Sequence, residues 1–447
     1  MARRKPWAFV LRTLLPALFL ARAPLSSFAA DTNLESRLQA LQEQNESLQS
    51  QLRQQQQLID SLQRDVAKIH QADQQRDAEM ENAKAAETPA PESPKSSGFN
   101  FGKVHLSGEG GAGIFETGSE GQFPNAEFRV DEAKLFVDAA VWGDVYAFAE
   151  INLTTREEFD DNLHLGELYL DAEDISKLWG KIGQLNLRVG RMDIPFGEEY
   201  LTRDVIDNPL ISRSLSDIWG VDEGVEIYGA IGKFSYAAAV QNGGIPETRD
   251  FKADKSIAGR LSYDVNSHLH FSLSGMRTGD LDGHPNKDLL SALWFATGFF
   301  RPIGASTIFH ANLVEADAEW RMQHGDLKAF GGYIRYNDND PSGIDRRNVY
   351  YYSVEGVHDI YGRLYGAARF SQIIAPDGFP IVGNGDMGAY LFGPLTDRMW
   401  RLSLGLGYRW NENLILKSEY TLERGKESDG TKRNHEDMFS TEVVFGF

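Results

Sequence analysis

Chemistry on a substrate needs a nucleophile, a base or a metal cluster, and this sequence of 447 residues is sparing with all three. It has no cysteine, which removes thiolate catalysis, thiolate metal ligation and disulfides. Its 10 histidines are scattered. His268 and His270 are the one close pair, and a spacing of two on a strand would put both on one face, where they could share a metal. No third ligand stands near them in sequence, so a wetted face is expected there. Nucleophile-elbow and zinc-protease spacings and a phosphate-cradling glycine loop are absent. No catalytic residue, metal or cofactor is expected, and the chain does not read as an enzyme.

What remains is charge placed inside apolar strands. Trp400 to Trp410 alternates strictly, with Trp400, Leu402, Leu404, Leu406, Tyr408 and Trp410 on one face and Arg401, Ser403, Gly405, Gly407 and Arg409 on the other. Aromatics at both ends of an apolar stripe suit the two headgroup levels of a bilayer. An Arg or Lys facing lipid near the midplane costs roughly 2–4 kcal/mol, so charged strand residues are assigned to a lumen. That rule selects Arg188, Arg363, Arg369, Arg401, Arg409, Lys417 and Glu419 as pore-lining candidates. As a set they could form a basic wall.

The elements that must position these residues recur from Gly98 onward. Segments of about ten residues repeat the alternation. They are Val104–Phe115, Glu127–Val141, Asp144–Thr155, Leu163–Ala172, Gln184–Ile194, Gly224–Ile231, Phe234–Asn242 and Ile257–Val265. His268–Arg277, Ile308–Met322, Leu327–Tyr336, Val349–His358, Arg363–Phe370, Trp400–Trp410, Asn413–Glu423 and Met438–Phe447 follow. Tight turns at Trp142–Asp144, Gly232–Lys233, Asn266–Ser267, Asp359–Tyr361 and Trp410–Glu412 alternate with long loops, notably Pro195–Asp222, Gly279–Thr307 and Ser371–Arg398. The expected fold is all-β, a transmembrane antiparallel barrel of about sixteen strands, the size at which an aqueous channel stays open. The last strand ends on Phe447, with Phe439, Thr441, Val443 and Phe445 on the same face.

The N-terminus is of another kind. Arg3, Arg4 and Lys5 precede an apolar run and the small residues around Ala29, which reads as a secretory signal over 1–29. Residues 31–87 lack Gly and Pro and carry a heptad, with Leu38, Asn45, Leu52, Ile59 and Val66 on one seam position and Leu34, Leu41, Leu48, Gln55, Leu62 and Ile69 on the other. This predicts a self-associating periplasmic coiled coil. Residues 88–97 form a Pro-rich linker to a barrel over 98–447. The net charge of -20 argues against nucleic acid as a partner.

The stretch Val189-Gly190-Arg191-Met192-Asp193-Ile194-Pro195-Phe196-Gly197-Glu198-Glu199, followed by Leu201-Thr202-Arg203 and Ile211-Ser212-Arg213-Ser214-Leu215, resembles the phosphate-selective porin O and P family of Gram-negative outer membranes. The strand from Arg129 to Lys134, the turn into Asp144 and His435-Glu436 before the last strand support the resemblance. It implies a sixteen-stranded trimer whose third loop, here Pro195 to Gly220, folds inward and narrows the pore. Glu198, Glu199, Arg203, Asp204, Asp207, Arg213 and Asp217 would then be the charged residues of the constriction, facing the basic wall across a transverse field. Members carry a basic cluster on the second strand where this chain reads Asp131-Glu132-Ala133-Lys134. From Gly98 onward there are 33 Lys and Arg against 53 Asp and Glu, which weighs against phosphate selectivity.

The expected function is passive diffusion of small hydrophilic solutes, with anions such as phosphate one class, through an outer-membrane porin. Expected partners are membrane lipid and lipopolysaccharide, two further copies in a homotrimer, and peptidoglycan through the coiled coil. A tether between outer membrane and peptidoglycan is the alternative, and a lipid-acting barrel enzyme would need a Ser–His pair on the outer face.

Overall fold

The structure, a computed structural model, describes residues 99–155, 163–243, 254–279, 281–282, 308–343, 346–391 and 393–447. The signal segment, the coiled coil, the linker and most of the loop Gly279–Thr307 lie outside the described residues.

Sixteen long strands are present among the described residues, in the order expected. They are β1 Val104–Thr117, β2 Glu127–Trp142, β3 Val145–Thr155, β4 His164–Ala172, β5 Asn186–Asp193, β6 Val221–Ile231, β7 Phe234–Gln241 and β8 Ser256–Asn266, then β9 Leu269–Arg277, β10 Ile308–Met322, β11 Gly325–Asp338, β12 Arg347–Tyr361, β13 Leu364–Phe379, β14 Thr396–Asn411, β15 Leu414–Glu427 and β16 Met438–Gly446. Each pairs antiparallel with its neighbour, and β16 pairs with β1, placing Phe439 opposite Glu116 and Gly446 opposite Glu109. A closed ring leaves no edge and satisfies the backbone without water, which is the condition for crossing lipid with strands.

The alternation sorts the faces. Leu404, Leu406 and Trp410 of β14 are exposed outward, whereas Arg401 and Ser403 are buried inward. At the seam of the ring, Phe445 and Phe447 lie over Gly110 and Gly108, whose missing side chains leave room for the rings. The strands are unequal in length. β4, β5, β7 and β9 have 8 or 9 residues, but β10 to β15 have 14 to 16, so the loop between β5 and β6 leaves the ring where its wall is low.

Expected boundaries shift by one to four residues at several places, as at Val221 and Asn411, and change most on β12 to β14. Asp359–Tyr361 belongs to β12, and the turn falls later, at Gly362-Arg363. The strand expected over Arg363–Phe370 begins at Leu364 and runs on to Phe379. The loop expected over Ser371–Arg398 shrinks accordingly, since β14 starts at Thr396.

Outward leucines set one expected outcome. Leu404→Arg should lower folding stability by roughly 2–4 kcal/mol. A urea titration of folding into lipid vesicles reads this directly. A variant as stable as the parent would mean that this face does not meet acyl chains.

Candidate functional site

The loop of residues 194–220 folds into the barrel, and the inward polar residues of the long strands hold it there. Lys417 of β15 donates to three loop carbonyls, those of Val205, Asn208 at 2.6 Å and Leu210 at 3.4 Å. Glu419, two residues on and so on the same face, accepts the Ile211 and Ser212 amides at 2.5 and 2.8 Å and the Ser212 hydroxyl. Arg369 of β13 reaches the Ser212 carbonyl at 2.7 Å and Asn208 Oδ1 at 2.9 Å while pairing with Glu355. Arg401 of β14 reaches the Arg213 carbonyl at 3.1 Å and pairs with Glu423 at 2.6 Å. All four wall residues are buried.

Apolar packing completes the hold. Ile194, Phe196, Leu215 and Ile218 of the loop join inward residues of β8 to β14, among them Ala311, Ile334, Val349, Ile373 and Met399, in one core. Val205 and Leu210 pack with Val357, Tyr365, Ile415 and Val444 in a second. The lumen beside β12 to β16 is therefore filled by the loop. Arg433 draws the long loops together on the same side. It pairs with Glu436 at 2.5 Å, donates to the carbonyls of Ile381 and Val382, and lies 3.5 Å from the centroid of the Tyr390 ring.

The loop also reaches the opposite wall. Gly197 takes a positive φ of 70°, and a Cβ there would strike Glu315, so the turn that sends the chain across the lumen requires glycine. Arg260 of β8 donates to the Gly197 carbonyl at 2.7 Å and to the Tyr200 hydroxyl at 3.1 Å. Ser262 donates to Glu198 at 3.1 Å. His270 of β9 places Nε2 2.9 Å from Glu198 and Nδ1 2.8 Å from Asp264. His268 sits in the turn before β9, so the pair does not share a strand face as expected.

The expected pore lining is accordingly revised. Arg369, Arg401, Lys417 and Glu419 do face inward, but they lie beneath the loop and form no wetted wall. Arg363 is not on the wall at all; it occupies the two-residue turn after β12, where its guanidinium bonds the Trp410 carbonyl. Arg409 lies near the short-turn end, half-exposed, 3.1 Å from Asp359 and over the Tyr365 ring at 4.3 Å. Arg188 of β5 does line open space, held by Asp171 at 2.9 Å and Glu226 at 3.3 Å.

Charged loop residues are spent largely on the loop itself and its supports. Arg203 and Asp217 form a two-bond pair at 3.0 and 3.1 Å. Glu199 accepts the Ser214 amide and hydroxyl at 2.8 and 2.6 Å. Arg213 pairs with Glu132 at 3.0 Å, and Asp204 with Lys134 at 2.6 Å. Oxygens of Glu109, Glu132 and Asp204 come within 4.8 Å of one another, a spacing that could hold a cation. The Lys134 ammonium, 3.0 Å from Glu132 as well, already supplies that charge. The Asp207 carboxylate forms no hydrogen bond or ion pair among the described residues. Burial pushes its carboxyl above the usual range, and Asp204 pushes the same way.

Open space remains on the other side. A cavity of about 360 Å³ lies between the loop and β8 to β12, lined by Glu198, Arg203, Arg260, His270, Glu319, Arg321 and Lys328. A second of about 480 Å³ lies between the loop and β4 to β8, lined by Glu167, Tyr169, Arg188, Asp193, Tyr200 and Glu226. Arg260, Arg321, Lys328, Glu167 and Asp193 escaped the sequence reading. Arg260, Ser262 and Asp264 alternate on β8, a signal of a polar face that was available but short.

No protein-family model and no curated protein matches the chain. Solved structures do. The outer membrane channel DcaP of Acinetobacter baumannii superposes with a TM-score of 0.53 at 12% identity, over 79% of this chain and 100% of that one. An anion-selective porin from Comamonas acidovorans gives 0.51 at 10% identity, over 77% and 99%. The trimer form of OmpT, an outer membrane protein of Vibrio cholerae, gives 0.51 at 12% identity, over 77% and 99%. The shared property is the barrel fold.

Two outcomes follow from the loop's supports. Glu419→Gln keeps the shape but removes the charge that takes two loop amides and a hydroxyl. Hydrogen exchange at Ile211 and Ser212 should then quicken about tenfold or more, since charge-assisted bonds contribute roughly 1.5–3 kcal/mol each, while barrel amides stay unchanged.

The second outcome concerns pH. Burial, with Asp217 nearby, raises the Glu199 carboxyl above its ordinary value. A carboxyl raised on folding is stabilising while protonated. Its contribution is full below the ordinary carboxylate range and is lost as pH climbs through the elevated value. Protease cleavage within 198–207 should therefore be slowest in acid and should rise toward neutrality, and Glu199→Gln should flatten that rise.

Proposed function

We propose that the chain is an outer-membrane porin, a passive diffusion channel for small hydrophilic solutes, narrowed by the loop of residues 194–220. The observation that carries this is the division of the lumen. A sixteen-stranded ring is too wide for its own side chains to fill. The loop packs one side as a protein interior, and the other side keeps open cavities lined by charged groups. A soluble binding protein would not expose leucines and tryptophans around its whole circumference, and a sealed barrel would not keep cavities walled by Arg260, Arg321, Lys328 and Glu319. Short turns face the periplasm and long loops face outward in this reading, with lipopolysaccharide against the outer loops and three copies in the assembly, as in the solved trimer form of a barrel with this fold.

Selectivity in such a pore follows the field at its narrowest ring. Of the strand arginines, Arg369 and Arg401 are occupied beneath the loop, and Arg188 and Arg321 beside the open space are each paired with an acid. Near the loop's entry, Glu150 has Lys134 at 4.0 Å, and Glu167 and Asp193 form no ion pair among the described residues. The channel is therefore a general pore leaning toward cations, and phosphate selectivity is not part of the proposal.

Purified, folded protein added to planar bilayers should give discrete ohmic steps. In a potassium chloride gradient its reversal potential should fall on the cation side. Absence of steps would defeat the channel reading, and a reversal potential on the anion side would defeat the charge assignment.

A further inference from the structure

We propose that a row of three outward-facing cations, Arg398, Lys426 and Lys432, is a docking site for the phosphorylated headgroup of lipopolysaccharide. This rests on the porin reading, which sets the long loops at the outer leaflet, and deepens it by assigning that lipid to named side chains.

The row is built by strand register. Arg398, near the start of β14, stands directly opposite Lys426, near the end of β15. Lys426 in turn stands opposite Lys432 of a two-residue strand, Lys432–Arg433, that pairs with β15 on its other edge. Alternation turns all three outward. Met399, next to Arg398, is buried inside the barrel, and so is Arg433, next to Lys432. A Cβ on Gly425, next to Lys426, would meet the Arg433 side chain, so Gly425 shares that inward face. Side chains directly opposite on adjacent strands have Cβ atoms about 4.5–5.5 Å apart, and like charges so placed repel. None of the three forms an ion pair or a side-chain hydrogen bond among the described residues. Arg424, opposite Trp400 on the same face, is already taken, with Nη2 3.0 Å from Asp437. An anion from outside the chain would relieve the repulsion along the row.

Depth and surroundings name the anion. Beyond Arg398 the same outward face continues as Trp400, Leu402, Leu404 and Leu406, the stripe that meets acyl chains. Phe370 of β13 stacks on Trp400 with ring centroids 6.1 Å apart, which sets an aromatic level just inside the row. From Gly405, at the middle of the stripe, the strand runs about 23 Å to Arg398. A strand tilt of about 40° makes that about 18 Å along the bilayer normal. Headgroup phosphates lie at nearly the same depth, about 20 Å from the midplane. A fitting partner therefore has acyl chains beside the leucines and several negative charges at the row. Lipopolysaccharide joins the two in one molecule, as a diphosphorylated and acylated disaccharide. A zwitterionic phospholipid sets an ammonium beside its phosphate, and free phosphate gains nothing from the stripe.

Diphosphoryl lipid A is the probe, with dephosphorylated lipid A, phosphatidylglycerol and inorganic phosphate for comparison. In native mass spectrometry the detergent-folded full chain should retain diphosphoryl lipid A in preference to the other two lipids, and inorganic phosphate should not displace it. The triple substitution Arg398→Gln, Lys426→Gln and Lys432→Gln should weaken that binding by about tenfold or more. Lys181→Gln, at the opposite end of the barrel between β4 and β5, should leave it unchanged. Equal retention of phosphorylated and dephosphorylated lipid A, or a triple variant that binds like the parent, would overturn the site. Displacement by inorganic phosphate, or equal retention of phosphatidylglycerol, would overturn the choice of lipid. A triple variant that keeps lipid A but loses its oligomer would give the row to a neighbouring copy instead. If the triple variant does not fold, Lys432→Gln alone serves the same comparison. Lipid retention is read without conduction, so retention with no conductance steps would fault the porin reading and leave the site standing. Steps without retention would do the reverse.

Discussion

The structure depends on one arrangement, the ring of buried wall charges that grips the backbone of an inward loop. A wide barrel has an interior that its own strands cannot pack, and the polar half of every alternating strand must find partners in that space. Here the partners are not water alone. Lys417 takes carbonyls, Glu419 takes amides, and Arg369 and Arg401 take carbonyls and acids together. A segment with little regular structure thereby has its orphan backbone groups satisfied by side chains of the wall. Breaking one member of such a buried set is costly, about 3–5 kcal/mol, because its partner is left charged and dry. That cost keeps the loop in one place.

The position of the loop divides the lumen. With Phe196, Leu215 and Ile218 packed against β8 to β14, and Val205 and Leu210 against β12 to β16, the filled side is a protein core within a barrel. The crossing at Gly197 and the contacts of Glu198 with Ser262 and His270 then bound two recesses of different character. One mixes Arg260, Arg321 and Lys328 with Glu198 and Glu319. The other joins tyrosines to carboxylates. The cations beside open space sit on β5, β8, β10 and β11, not on the strands where an alternating pattern most plainly displays arginine.

Much of the fold was legible in the sequence because lipid imposes a simple rule. Trp400 to Trp410 alternates without exception, since one face meets acyl chains and the other does not. The rule fails where the inward face is apolar too. Ile373 and Ala375 point inward yet pack against loop residues, so Ser371 to Phe379 looks like no strand, and its Pro376 and Gly378 suggest a loop. The inward direction of Arg369, Arg401, Lys417 and Glu419 was equally legible. What covers them was not, because alternation reports a face and says nothing of a segment that arrives some two hundred residues away in the chain. Arg363 shows the limit of boundaries: one residue of displacement takes it from a wall into a turn.

The central claim is that water reaches the inner wall beside β7 and not beside β14. The natural chain has no cysteine, so single thiols report position without interference. Ser403→Cys places one beneath the loop, and Ser235→Cys places one facing both cavities. Labelling of the folded protein by a charged, water-soluble maleimide should be rapid at position 235 and nearly absent at position 403. Equal rates at the two positions would contradict the account.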